Sequence, residues 1–158
     1  MKTMKTMKTK RTIKAFWTTM LWHQNEHHRH GVLGHTLKVT YHLLKKGHYK
    51  MLAAGLLHDI AKPLSAYHDA EDIKGGCKDY SFTAHEEFGY HVIKDWTWIS
   101  DYTKEIVRHH YLIRGMHKAR VKGNTEKLRR LKRRWGKLTP EFKDDLAKFM
   151  VCDDLGKK

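Results

Sequence analysis

Two cysteines in 158 residues are too few and too scattered to organise a fold. Cys77 and Cys152 make no CxxC pair and no disulfide framework, and they cannot supply a closed, cysteine-rich structural zinc site. A reducing compartment follows as the simpler setting, so a cytoplasmic protein is expected. Proline also occurs only twice, at Pro63 and Pro140, each where a helix boundary is expected. No apolar run approaches the roughly 18 to 20 residues of a membrane helix, so no membrane span is expected. The basic start is not followed by an apolar core of the kind a secretory signal needs. Acidic residues are scarce against basic ones, 17 to 32, for a net charge of +15. Such an excess suits a polyanionic partner, nucleic acid or nucleotides, with plain solubility as the alternative.

What is present suits one domain. A chain of 158 residues with 40% apolar content can bury one real core. Residues 1–12, with their MKT repeat, read as a flexible basic tail. Residues 13–158 read as a single domain. Ile13, Phe16, Trp17, Met20 and Leu21 give a first amphipathic face. A helix from Gly34 to Lys46 carries Leu37, Val39, Leu43 and Leu44, with His35 on the same stripe. A third runs from His48 to Ala61 and is ended by Pro63. Leu64 to Phe82 reads as a long loop, a lid or rim. Thr83 and Glu86 fit a capping box, and a helix follows through Phe88, His91, Val92 and Trp96. Another spans Asp101 to Tyr111. Lys118 to Leu138 reads as one basic amphipathic helix with Leu128, Leu131 and Trp135 in phase. Thr139 and Pro140 start the last helix, on which Leu146, Phe149, Met150 and Asp153 share a face. The expected fold is an all-α, single-domain helical bundle.

Histidine is abundant, with 14 copies. His23, His27, His28 and His30 lie in a polar stretch without apolar periodicity and read as mostly solvent-exposed. His58 and Asp59 are different, because they end an apolar run, Leu56-Leu57-His58-Asp59-Ile60-Ala61-Lys62-Pro63. A carboxylate drawn into a core needs a counter-charge, and a bound cation supplies one. His35, His85, His109, His110 and Asp153 also sit in or beside apolar periodic segments. Imidazole and carboxylate donors without thiolate suit Mn, Fe, Co, Ni, Zn or Mg. His35, His58, Asp59 and Asp153 can hold one ion. His85, His109 and His110 can hold a second, with Asp59 as the bridge. Two ions about 3.5 to 4 Å apart would activate water and clamp phosphate oxygens.

The order H…HD…H…HH…D around LLHDIAKP resembles the HD-domain metal-dependent phosphohydrolase superfamily. The resemblance runs from His35 to Gly156. It is closest in flavour to the HD domain of bacterial tRNA nucleotidyltransferases, through Leu56 to Pro63, Phe82 to Gly89, His109, and Cys152-Asp153-Asp154-Leu155-Gly156. No GYP signature of the cyclic-di-GMP branch is present. The resemblance implies an all-α fold with one or two divalent metal ions in the core. It also implies hydrolysis of a phosphoester or phosphoanhydride in a nucleotide or nucleic-acid end, with His58, Asp59, Lys62 and His110 as catalytic candidates. His110 reads as a ligand, a general acid or a surface residue. Lys62 reads as a phosphate contact or a solvated helix end. The basic segment should border the site, so Arg114, Lys118, Arg120, Arg129 and Arg130 join Lys62 as candidate substrate contacts. The rival readings are a hydrolase of a signalling nucleotide (alarmone, dinucleoside polyphosphate or cyclic oligonucleotide) and a non-catalytic nucleic-acid-binding module with a structural metal. A di-iron oxygenase is a further rival that no residue favours. The oligomeric state is not legible.

Overall fold

Val32, His35, Thr36, Val39 and Leu43 repeat at helical spacing and are all buried on one face of a helix. The structure, a computed structural model, describes residues 13–68 and 79–158. The tail expected over residues 1–12 and most of the expected lid, residues 69–78, lie outside the described residues, as does Cys77. The helices in chain order are α1 (Ile13–Leu21), α2 (Val32–Lys45), α3 (Leu52–Leu57), α4 (Lys62–Ser65), α5 (His85–Ile93), α6 (Asp101–His109), α7 (Leu112–Val121), α8 (Thr125–Gly136) and α9 (Pro140–Leu155). A 3-10 turn, Tyr49–Met51, leads into α3. Among the described residues there is no strand, only a bridge between Tyr67 and Ser81. The fold is all-α.

The core lies where α2, α3, α6 and α9 meet. Val39, Leu43, Met51, Ala54, Ile106, Leu146, Phe149 and Cys152 form one buried cluster, flanked by Tyr102, Trp135 and Phe142. Asp145 is buried beside it, where its carboxylate accepts from Lys50 Nζ at 2.6 Å and Tyr102 Oη at 2.8 Å. Those donors hold it below the usual carboxylate range against the opposing effect of burial. α9 starts as its sequence dictates. Thr139 Oγ1 accepts from Phe142 N at 3.2 Å, and Pro140 occupies the first turn.

Several elements differ from the sequence expectation. On α1 the buried residue is Thr19, while Ile13, Trp17 and Leu21 are exposed. Leu37 and Leu44 of α2 also face outward. The expected helix over residues 48–61 is shorter. It ends at Leu57, and the bonding then tightens, with Ile60 N donating to Leu57 O and Lys62 N to Asp59 O. Pro63 sits in the first turn of α4, where its missing N–H costs nothing, rather than closing a long helix. Thr83 does not cap α5. The preceding residue, Ala84, adopts a left-handed backbone (φ 55°), and the Thr83 hydroxyl pairs with Tyr67 Oη at 2.6 Å instead. The inner stripe of α5 is His85, Gly89 and Ile93, and Phe88 and His91 face outward. The basic segment is two helices, not one. Gly123 takes φ +65°, Asn124 Oδ1 caps Lys127 N at 2.9 Å, and α8 folds back against α7.

Candidate metal centre

The same local device orients three imidazoles. Each Nδ1 donates to the carbonyl three residues earlier: His58 to Gly55 O (2.9 Å), His85 to Phe82 O (3.1 Å) and His110 to Val107 O (2.7 Å). A carbonyl only accepts, so the proton sits on Nδ1 and Nε2 is turned inward as the donor atom for a ligand. His35 enters from α2, with Nε2 3.2 Å from His58 Nε2. His85 Nε2 and His110 Nε2 are also 3.2 Å apart.

Two carboxylates complete two groups of three. Asp153, in the last turn of α9, places Oδ1 2.9 Å from His35 Nε2 and 3.5 Å from His58 Nε2. Asp59 reaches both groups. Its Oδ1 is 3.3 Å from His85 Nε2 and 3.6 Å from His110 Nε2, and its Oδ2 is 3.3 Å from His58 Nε2 and 3.5 Å from His35 Nε2. His35, His58 and Asp153 can thus hold one cation, and Asp59, His85 and His110 another.

The donor set passes a geometric test. Two nitrogens on one ion at about 2.1 Å lie about 3.0 Å apart at a right angle and about 3.4 Å apart at the tetrahedral angle. The paired Nε2 atoms, at 3.2 Å, fall in this interval. A proton can join only two atoms, whereas each group converges three. Imidazole and carboxylate ligands fit borderline or hard divalent ions. Cys152 belongs to the apolar core and to neither group.

The electrostatics match a cation-binding pocket. Burial works against ionised Asp59, yet His58 and Lys62 hold its carboxyl well below the usual range. Asp153 is likewise held low, despite burial, by His35 and His58. Burial opposes a charged His58, but Asp59 and Asp153 outweigh it and raise the ring to about 10. Burial keeps His110 low. The buried Asp59 and the half-buried Asp153 therefore stay anionic and draw positive charge inward.

Of the sequence candidates, the structure brings together His35, His58, Asp59, His85, His110 and Asp153. It does not bring in His109. One position away and about 100° round the helix, that ring faces Glu105 (3.2 Å), Arg134 (3.4 Å) and Phe142. Lys62 is not a solvated helix end: it is buried and lines the pocket. Its Nζ pairs with the Asp59 carboxylate at 2.7 Å from Oδ2 and hydrogen-bonds Gln24 Oε1 at 3.0 Å and His28 Nε2 at 3.5 Å. Arg114 reaches Asp153 at 3.0 Å and Asp154 at 2.8 Å. Lys118 lines the pocket, but Arg120, Arg129 and Arg130 do not, because the phase of α7 and α8 turns them away.

Gln24 and His28 are additions that the sequence did not signal. Their polar stretch lacks periodicity, yet it folds over the site. Gln24 is fully buried and donates to His30 O at 3.1 Å. His28 Nδ1 pairs with Asn25 Oδ1 at 2.8 Å, and the ring packs edge-on against His35. Burial and the Lys62 ammonium push His28 down to about 2, which leaves it neutral. His27 of the same stretch is exposed, as expected, whereas His23 and His30 are half-buried.

Asp59, His85, His110 and Asp153 line a pocket of about 890 Å³. Asp59 and His110 lie at its floor, and Arg108, Arg114, Lys118, Lys122, Lys127 and Arg134 contribute to its lining. Among the described residues, no helix is long and apolar enough to cross a membrane. Comparison with protein families matches the HD domain over residues 32–151. Neither a curated protein nor a solved structure gives a match.

Proposed function

The chain belongs to the HD domain family, a superfamily of metal-dependent phosphohydrolases, and on that premise we propose that it cleaves a phosphoester or phosphoanhydride of a nucleotide or nucleic-acid end. The observation that carries this reading is the Asp59 carboxylate, shared between two groups of imidazole and carboxylate donors at the floor of a cation-lined pocket. When bound, divalent ions supply a water of lowered pKa and positive charge against phosphate oxygens.

The chain's own residues set the geometry. Asp59 faces both groups through its two oxygens, while Lys62, held by Gln24 and His28, fixes its orientation. Backbone carbonyls hold Nδ1 of His58, His85 and His110, so each ring already aims Nε2 at the centre before a ligand or substrate arrives. Arg114 anchors on Asp153 and Asp154 and keeps guanidinium charge at the pocket wall, where it can meet a non-bridging phosphate oxygen. Burial of the cluster strengthens each of these interactions.

The test is hydrolysis of bis(p-nitrophenyl) phosphate by protein loaded with Mn, Co, Ni or Mg. Turnover should depend on the metal and fall by about 100-fold or more in His58→Ala and Asp59→Ala. Turnover that survives both substitutions would sink the proposal. So would nucleic-acid binding with no turnover under any metal, which is the behaviour of a non-catalytic module.

A further inference from the structure

Positive charge climbs away from the metal centre along α7. Arg114, Lys118 and Lys122 recur every fourth residue, and all three line the pocket. Four residues rise about 6 Å along a helix, close to the step between neighbouring phosphates on one nucleic-acid strand. α8 continues the same lining with Lys127 and Arg134 on either side of Leu131.

The ion pairs separate these cations into two sets. Arg114 is matched by Asp153 and Asp154, and Arg134 by Glu87 at 3.5 Å. Lys157 is matched by Asp154 at 2.6 Å. Among the described residues, Lys118, Lys122 and Lys127 pair with no carboxylate. Lys118 Nζ instead lies 5.6 Å over the Tyr111 ring. Three exposed, unneutralised ammonium groups on one lining repel each other until a polyanion arrives.

The remaining lining favours bases over a bare anion. Tyr80, Phe82 and Tyr111 border the pocket, and aromatic rings beside a basic track are the means by which single strands are held. Depth decides the form of the strand. Asp59 and His110 are buried at the floor, so a phosphate inside a stiff duplex cannot reach them.

We propose that the pocket receives the end of a single-stranded polynucleotide, whose further phosphates are carried by Lys118, Lys122 and Lys127. The inference rests on the hydrolase reading for which phosphate is cut. The grip itself belongs to residues outside the metal centre and requires no turnover. A mononucleotide reaches the floor alone and leaves the three lysines unmatched.

The experiment is fluorescence anisotropy of the full chain with a labelled single strand of about 12 nucleotides, titrated across salt. The triple variant Lys118→Glu, Lys122→Glu, Lys127→Glu should bind about 10-fold or more weakly, with a salt slope shallower by about 2. The neutral pair Lys118→Gln, Lys122→Gln, checked for folding by circular dichroism, should lower the slope by about 1.4 and keeps the test decisive if the triple variant misfolds. Unaltered affinity and slope in both variants would overturn the proposal. So would AMP competing as well as the oligonucleotide, or a preference for duplex or anionic vesicles. Failure of the hydrolase reading looks different: bis(p-nitrophenyl) phosphate is not turned over while lysine-dependent strand binding persists.

Discussion

The imidazole of His110 turns Nε2 toward Asp59 and His85, while that of His109 turns toward Glu105 and Arg134. Neighbours in the chain thus have separate surroundings, and substitution should separate them. His110→Ala should weaken metal binding by about 100-fold, read by calorimetric titration with Mn or Co. His109→Ala should leave the metal isotherm near that of the parent. The opposite ranking would remove His110 from the centre. At this scale the His-Asp doublet was legible, because an acid at the end of an apolar run requires a counter-charge. The choice within His109-His110 was not, since it depends on a helix phase that the doublet alone does not fix. Gln24 and His28 gave no signal either. A loop folding over the site buries Gln24 and half-buries His28, with no periodic face to announce it.

The end of α9 shows how packing between elements sets ligand geometry. A Cβ on Gly156 would stand 2.5 Å from Val39 Cγ2, 3.1 Å from Val39 N and 3.3 Å from His35 Nδ1. Gly156→Ala should therefore push α9 off α2 and draw Asp153 away from His35. The expected cost is about 1–3 kcal/mol of stability, measured by urea unfolding, together with weaker metal binding. Stability and binding equal to the parent would show that this contact does not hold the two helices in register. Helix starts with strong local chemistry, such as Thr139-Pro140, were readable in advance. The break at Gly123 was not, because a glycine inside a run of lysines and arginines interrupts no apolar stripe. The Thr83 cap failed for a related reason: the left-handed Ala84 reroutes the chain, and spacing alone does not reveal that.

For the molecule as a whole, the ligands arrive from α2, the turn after α3, the start of α5, the end of α6 and the last turn of α9. Cations held by the two groups would tie those elements together and stabilise only the folded state. Stripping metal with a chelator should lower Tm by about 5–10 °C, and re-addition should restore it. An unchanged melting curve would mean that no resident ion is coupled to the fold.

His35 and Asp153 are separated by 118 positions in the chain yet lie within hydrogen-bond distance. During synthesis the nascent polypeptide cannot close that pair until α9 has left the ribosome. A cation held by that pair would therefore load only once α9 has emerged. Chains stalled before Asp153 emerges should carry an unmatched histidine cluster and fail to retain metal between His35 and His58.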